Sequence, residues 1–219
     1  MELGFWCLEF FNTHLAFLYM TIIKHSAQRV AVFIDAQNLY HSAKHLYGAK
    51  VNFGDMVTDA VAGRALVRAT AYVISTEEGS EQGFFDALTK VGIEAKHKDL
   101  QIFAGGQKKA DWDVGLAIDA VKLAPKLDSV ILISGDGDFI PLVQYLQINE
   151  GCQVEVVSFG RSTSSALIEA ADHFTDLDEA TDKYLIGYRG NGGGRDFRNK
   201  SRERDNGSGN KPKIVKRKM

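Results

Sequence analysis

Short apolar runs rich in β-branched residues recur along this chain and alternate with segments of helical periodicity. The runs RVAVFID at 29–35 and SVILIS at 129–134 are continuous apolar stretches, typical of strands buried on both faces of a sheet. Such alternation predicts an α/β fold in which a parallel sheet lies between helices on both faces, within one domain spanning 29–180. The pattern predicts further strands at 65–75, 93–103 and 152–159, and helices at 36–48, 81–92, 111–125, 139–151 and 164–177, with a short strand at the end of the last segment.

Charge is distributed unevenly along the chain. Residues 189–219 carry 11 Lys or Arg against 3 Asp or Glu, whereas residues 1–188 carry 15 against 25. The segment 187–219 is rich in Gly, Asn, Arg and Lys, and we predict that it is disordered because it cannot bury enough apolar surface to offset its ordering entropy. A basic tail of this kind either contacts single-stranded nucleic acid or only keeps the protein soluble.

The first 28 residues form an apolar extension that contains GFWCLEFFNTHLAFLYMTII. This stretch lacks a basic flank and a small-residue cleavage site, and polar residues interrupt it, so a signal sequence or membrane anchor is disfavoured. We expect translation to start at Met20; a translated extension would instead form an extra helix or bind a membrane surface. The two cysteines, Cys7 and Cys152, have neither metal-ligand nor disulfide-framework spacing, which favours a reduced, cytoplasmic setting.

Carboxylates follow several of the predicted strands. Asp35 ends the first strand, Asp136 and Asp138 follow the fourth, and Asp111 and Asp113 follow the third strand and its loop. Because parallel strands deliver their carboxyl ends to one edge, at least four carboxylates converge if the first and fourth strands are neighbours. Crowded carboxylates repel one another, and a divalent cation relieves that repulsion. Oxygen ligands alone favour a hard ion, so we predict Mg²⁺ or Mn²⁺ as the cofactor.

Helix capping is the alternative explanation for these acids. Asp35 is placed to cap the helix at 36–48, and Asp138 to cap the helix that follows it. Asp113 is a plausible first-turn residue that complements the helix dipole. Asp136 has no evident capping role, and all these positions share one sheet edge. The group as a whole therefore favours a metal site over a set of caps.

Small polar residues accompany the acids. Gly135 and Gly137 allow a tight exit from the strand without a Cβ clash, which aims the two intervening carboxylates at one point. Asn38 and Ser134 either hold a carboxylate or a metal-bound water, or satisfy the backbone of the loop. Asp119 lies six residues after Asp113 on the same helix, about a third of a turn off the acidic face, and either supports a metal-binding side chain from behind or lies on the surface.

Five other side chains have both a functional and a plainer interpretation. Lys108 and Lys109 lie in a glycine-containing loop where they could meet a phosphate of the substrate, or simply be solvated. Trp112 could stack on a base, although anchoring of the helix start in the core is the better supported role. His41 and His45 are four residues apart on a helix, but without a third ligand they more often belong to a solvated face than to a metal site.

Three stretches of the chain, VFIDAQNLY, KKADWDVGLAIDA and LISGDGDFIPLV, resemble the motifs of NYN domains, specifically the LabA-like branch. The resemblance covers residues 29–178 in the right order and implies a PIN-like nuclease fold. The family loop usually reads Lys-Gly-x-Asp, so here Asp111 competes with Asp113 for the alignment, and the helical phase favours Asp113. The resemblance implies that Asn38 lies close to a set of metal-coordinating acids: Asp35, Asp113, Asp136 and Asp138.

The resemblance implies metal-dependent hydrolysis of RNA phosphodiester bonds, in which Asp35 and Asp136 anchor the main metal ion. Asp113 and Asp138 would orient a second ion or the attacking water. The main alternative is an RNA-binding regulatory module with weak or no catalytic activity. A haloacid-dehalogenase-like phosphatase is disfavoured because Asp35 is not followed by the second acid of an Asp-x-Asp motif. A nucleotide or other small-molecule cofactor is disfavoured because no phosphate-cradling glycine pattern follows the first strand. The oligomeric state stays open.

Overall fold

The computed structural model of this chain describes residues 22, 24–75, 82–99, 101–102, 108–109 and 112–188. Its core is a sheet of six parallel strands, in the spatial order β4-β3-β1-β7-β8-β9 when strands are numbered along the chain. The strands are β1 (Arg29–Asp35), β2 (Lys50–Val51), β3 (Ala65–Ser75), β4 (Glu94–Asp99), β5 (Gln101–Ile102), β6 (Lys108–Lys109), β7 (Ser129–Ile133), β8 (Gln153–Ser158), β9 (His173–Asp176) and β10 (Leu185–Ile186).

Helices connect the strands of the sheet. The α-helices are α1 (Ala36–Tyr47), α2 (Phe53–Val61), α3 (Gln82–Lys90), α4 (Asp113–Leu123), α5 (Ile140–Asn149), α6 (Ser165–Ala170) and α7 (Thr181–Tyr184). Short 3-10 turns occupy Ala124–Lys126, Gly137–Phe139, Gly160–Ser162 and Leu177–Ala180. No helix in the described part of the chain is both long and apolar enough to cross a membrane.

Two clusters of buried side chains lie on opposite faces of the sheet, because successive residues of a strand point to opposite sides. Val30, Val32 and Ile34 of β1 pack in the first cluster with residues of α1 and α2. Ala31 and Phe33 pack in the second, with residues of α4 and α5. The predicted arrangement, a parallel sheet with helices on both faces, is thereby confirmed.

The order in which the chain adds strands to the sheet reverses between β1 and β7, and this position is called the switch point. β1 pairs with β3 on one side and with β7 on the other, so the first and fourth predicted strands are indeed neighbours. From β1 the chain proceeds outward to β3 and β4, and from β7 it proceeds the other way to β8 and β9. Ligands of open parallel sheets bind at such switch points, outside the carboxyl ends of the strands.

Four local features differ from the sequence prediction. The interval 49–64, to which we assigned no element, contains β2 and α2. The polar strand at 93–103 divides into the edge strand β4 and the two-residue strand β5. β5 pairs antiparallel with β6, so part of the predicted loop at Lys108 and Lys109 is a hairpin strand. Pairing also continues past residue 180, because β10 pairs with β2.

A buried ion pair joins β8 to the turn that precedes β3. The Arg64 guanidinium binds the Glu155 carboxylate through both terminal nitrogens, and its Nη2 also donates to Ala60 O at 2.6 Å. Ser129 Oγ donates to Glu155 Oε1 at 2.8 Å, and Lys24 Nζ lies 3.2 Å from Glu155 Oε2. Burial by itself raises the pKa of Glu155, but the hydrogen bonds from Arg64 and Ser129 outweigh burial and lower it.

Two sequence predictions lie outside the described residues: the apolar extension, apart from its last few residues, and nearly all of the basic tail at 187–219. His41 and His45, in contrast, are described, and both are exposed on α1.

Candidate active site

A cleft of about 190 Å³ opens at the carboxyl edge of the sheet, beside the switch point. It brings together three of the predicted acids with Asn38 and with side chains from β3 and from the start of α4. The residues that line it are Asp35, Gln37, Asn38, Tyr72, Ile74, Trp112, Asp113 and Asp136.

Asp35 has both of the roles that the sequence analysis considered for it, a helix cap and a cleft carboxylate. Its Oδ1 accepts the backbone N–H of Asn38 at 3.0 Å, which caps α1, and its Oδ2 accepts the Ser134 hydroxyl at 3.2 Å. Burial raises the pKa of Asp35, and the neighbouring charge of Asp136 raises it further. The hydrogen bonds from Asn38 and Ser134 oppose this increase without cancelling it.

The loop after β7 places Asp136 beside Asp35. The Asp136 N–H donates to Ser134 Oγ at 3.2 Å, so the Ser134 hydroxyl links the two acidic residues. Asp136 Oδ1 accepts the N–H of Asp138 at 2.9 Å and caps the 3-10 turn Gly137–Phe139. Our expectation that Asp136 has no capping role was wrong. A 3-10 turn begins at Gly137, directly after Asp136, and α5 starts only after that turn.

Asp138 is exposed and does not line the cleft. α5 begins at Ile140, and its cap position is occupied by Phe139, which makes no side-chain capping bond. The predicted capping of this helix by Asp138 was therefore wrong.

The glycines of the SGDGD loop are required by the close approach of residues 158–164. A Cβ atom on Gly135 would lie 2.9 Å from Ser158 Oγ and 3.1 Å from both Ser162 O and Thr163 Oγ1. Neither Gly135 nor Gly137 has a positive φ, so steric contact is the constraint here. The N–H of Gly135 donates to Asn38 Oδ1 at 2.9 Å, which connects α1 directly to the acidic loop.

Trp112 and Asp113 form the wall of the cleft at the start of α4. The Trp112 Nε1–H donates to Val73 O at 3.0 Å, and the ring packs edge to face on Tyr72 with centroids 5.4 Å apart. Trp112 therefore anchors the helix start, as predicted, and it also lines the cleft. Asp111 lies outside the described residues, as do the side chains of Lys108 and Lys109.

Asp119 contacts the cleft wall through Tyr72. Its Oδ2 accepts the Tyr72 hydroxyl at 2.7 Å and the Lys96 ammonium at 2.5 Å. Burial opposes ionisation of Asp119, but the hydrogen bonds from Lys96 and Tyr72 prevail and lower its pKa. Asp119 thus supports the wall from behind and does not itself line the cleft.

Comparisons of the chain with known proteins identify its family. The NYN domain model matches residues 29–178. This chain belongs to the NYN domain family. The chain is 29% identical over 164 residues to the Low amplitude and bright protein LabA of Synechococcus elongatus, an alignment that covers 69% of this chain and 84% of LabA.

A crystal structure of a protein of unknown function from Vibrio parahaemolyticus has the same fold as this NYN domain. The TM-score is 0.68 at 33% sequence identity, and the match covers 75% of this chain and all of the other. Together with the LabA alignment, this match confirms the resemblance to the LabA-like branch and the PIN-like fold that the three sequence motifs implied.

The donor atoms of the NYN cleft suit a magnesium-type ion better than a metal that needs a full protein cage. No group of three or more His, Cys, Asp or Glu in the described ranges is compact enough to hold a metal ion. Mg²⁺, however, is commonly held by only one or two carboxylates, with water and substrate phosphate completing its shell. Asp35 and Asp136 are two such carboxylates, and burial, followed by the neighbouring charge of Asp136, raises the pKa of Asp35.

Sequence reasoning missed Tyr72 and Ile74, which end β3 at the same edge. The rule that located the acids, namely that parallel strands deliver their carboxyl ends to one edge, applies to β3 as well. Neither Tyr72 nor Ile74 is an acid, so a pattern of carboxylates after strands does not indicate them. Gln37 was also missed, although it directly precedes Asn38 in the first turn of α1.

Proposed function

We propose that this NYN domain is a metal-dependent ribonuclease that hydrolyses RNA phosphodiester bonds in the cleft at the switch point. The observation that carries the proposal is the pairing of Asp35 and Asp136 in one cleft, where burial, and to a smaller extent the Asp136 charge, raises the pKa of Asp35. A buried carboxylate beside a second one favours a divalent cation as ligand, because the cation compensates both negative charges at once.

The residues around the two carboxylates would keep them oriented. Ser134 bonds to the Asp35 carboxylate and to the Asp136 N–H, and Asn38 holds the backbone between them through Gly135. Asp35 and Asp136 would hold Mg²⁺ or Mn²⁺. A divalent cation supplies Lewis acidity to a phosphoryl oxygen and lowers the pKa of a water molecule.

The other predicted site residues have supporting roles in this proposal. Asp113, in the cleft wall, would orient the attacking water, and Asp138, exposed within the 3-10 turn Gly137–Phe139, would help to hold a second ion. Lys108 and Lys109 would contact substrate phosphates, and the basic tail at 187–219 would contact RNA outside the cleft.

The test is RNA cleavage by the purified full chain in Mg²⁺ or Mn²⁺, with EDTA as the metal-free reference. Substrates are a labelled single-stranded RNA and a hairpin RNA. We expect Asp136→Asn to lower the cleavage rate by about 100-fold or more, a typical loss when a charge-stabilising group leaves an active site. Glu179→Gln, an exposed carboxylate in the last 3-10 turn, is the matched control and should cleave like the wild type. Wild-type cleavage by Asp136→Asn would refute the proposed site.

A second candidate function is an RNA-binding module with weak or no cleavage. The open spacing of the acids favours it, because the described residues contain no compact group of three ligands. This candidate predicts RNA binding that falls steeply with salt, together with no metal-dependent products in the same assay.

A further inference from the structure

Two lysines, Lys96 and Lys98, lie beside the cleft on the face of the sheet that carries Tyr72. β3 and β4 pair in register so that Tyr72 is opposite Lys96 and Ile74 is opposite Lys98. Opposite residues of neighbouring strands point to the same face, and Tyr72 and Ile74 both line the cleft. Lys96 and Lys98 therefore lie one strand further out on that face. Lys98 is exposed, and the Lys96 side chain is 40% exposed.

Trp112 forms the boundary between these lysines and the cleft. Its indole is fixed by the hydrogen bond to Val73 O and by the edge-to-face contact with Tyr72. Its six-membered ring lies so close to Gly115 that a Cβ there would be 2.7 Å from Cε3. The ring is half-buried, held in one orientation, and in contact with the cleft. An aromatic ring held in this way needs little further ordering to bind a ligand.

The two lysines are associated with the aromatic wall. The Lys98 ammonium lies 5.8 Å from the centroid of the Trp112 ring, within the range of a cation–π contact. The Lys96 ammonium lies 5.9 Å from the centroid of the Tyr72 ring and is anchored by Asp119. We call Lys96, Lys98 and Trp112 the ledge.

A plainer role for the lysines is protection of an edge strand. β4 is an edge of the six-stranded sheet, and edge strands often carry Lys because the charge discourages pairing with other chains. That role explains a lysine on β4, but it does not explain why Lys98 lies over an aromatic ring that lines the cleft. The two roles also predict different outcomes in a binding experiment.

We propose that the ledge binds an unpaired nucleotide next to the cleft, with its base stacked on Trp112 in place of the Lys98 ammonium and its phosphate bound by the displaced Lys98. The inference rests on the proposed function in one respect, that the cleft takes RNA. Asp35, Asp113 and Asp136 repel a polyanion, so affinity for the strand has to come from groups beside the cleft. Stacking on a side chain requires a base free of its own helix, so the ledge selects single-stranded RNA.

The test is equilibrium binding by fluorescence anisotropy of a labelled oligouridylate of about ten nucleotides, a typical single-strand site size, in EDTA so that no cleavage occurs. We expect Trp112→Leu to weaken binding by about 5- to 100-fold, the range for loss of one base stack. Lys98→Gln should reduce the slope of log affinity against log salt by about 0.7, the contribution of one phosphate contact on a single strand. Annealing the complementary strand should remove the dependence on Trp112.

Matched controls lie elsewhere on the surface. Lys126→Gln replaces an exposed lysine in the 3-10 turn after α4, and Tyr145→Leu replaces an aromatic residue on α5 that is 39% exposed. Neither should change binding. Equal effects of Lys126→Gln and Lys98→Gln, or wild-type binding by both ledge variants, would overturn the ledge. So would tighter binding of the duplex than of the single strand.

Two further measurements keep the result interpretable. Far-UV circular dichroism and thermal unfolding establish whether Trp112→Leu is folded, and if it is not, the exposed Lys98→Gln variant decides alone. Because binding is measured without metal, failure of the ribonuclease proposal leaves the binding result intact. Loss of binding in the ledge variants with no cleavage by the wild type supports the ledge on a binding module. No RNA binding by the wild type overturns the ledge.

Discussion

Replacing Gly135 by alanine tests the packing that holds the acidic loop in place. Gly135 lies between Ser134 and Asp136, and its N–H bonds to Asn38. The added methyl group would meet Ser158 Oγ at 2.9 Å and two further oxygen atoms at 3.1 Å. One of the latter is a backbone carbonyl, so rotation of a side chain cannot relieve every contact.

The expected effect of Gly135→Ala on the free energy of unfolding is the sum of two opposing contributions. Overpacking of a well-packed site costs about 1–3 kcal/mol. Replacing glycine by alanine at a compatible φ recovers about 0.4–1 kcal/mol, because the unfolded chain loses conformational freedom. The backbone of Gly135 has no positive φ, so no strain adds to the steric cost. We therefore expect Gly135→Ala to lower the free energy of unfolding by about 1–2 kcal/mol.

A double-mutant cycle with Ser158→Ala isolates the steric contact. Ser158 Oγ is buried and has no hydrogen-bond partner among the described residues, so its removal should be neutral or stabilising. It should also recover at least about 0.5 kcal/mol of the cost of Gly135→Ala, since the two sites are in contact. The assay is equilibrium urea unfolding followed by circular dichroism.

Gly83→Ala is the control for the cycle, because a Cβ at this helical glycine meets nothing within 4 Å. It should be neutral or slightly stabilising. If Gly135→Ala proves as stable as the wild type, or if its cost is the same with and without the Ser158 hydroxyl, the packing argument is wrong.

Two further predictions concern buried charge. In metal-free buffer at pH 7, Asp35→Asn should be more stable than the wild type, because burial raises the pKa of Asp35 and penalises its ionised form. This advantage should shrink as the pH falls through the raised pKa of Asp35, where the wild-type carboxyl gains its proton; urea unfolding at pH 7 and at acidic pH measures it. Arg64→Met should cost about 3–5 kcal/mol by the same assay, because it leaves Glu155 buried without its main partner. Adding Glu155→Gln to it should recover much of that loss, and an equal loss in the double variant would contradict the reasoning. The pKa of Glu155 is lowered, so the stability from this pair should be present above the ordinary glutamate pKa and be lost as the pH falls through the folded value.

The elements that repeat a local pattern were predictable from the sequence. RVAVFID and SVILIS have the continuous apolar character of buried parallel strands, and both are central strands of the sheet. In contrast, α2 was not predicted, although the buried residues of this helix include Met56, Val57 and Ala60.

The composition of the cleft was predictable in part, for a topological reason. Strands that run parallel must end at one edge, so Asp35 and Asp136 could be placed together once β1 and β7 were taken as neighbours. The sequence could not show which acid would turn into the cleft. Asp136 lines it, whereas Asp138, two residues later, is exposed within the 3-10 turn that precedes α5.

The sequence by itself thus determined the layers of this protein, the edge where its acids gather and the family to which it belongs. Only the tertiary structure decided which side chains support that edge. Asp119 bonds to Tyr72, 47 positions earlier in the chain, and Gly135 makes room for a loop more than twenty residues away. The physical reason is that periodicity reports what each segment needs to bury, whereas hydrogen bonds and close contacts between distant segments depend on how those segments dock.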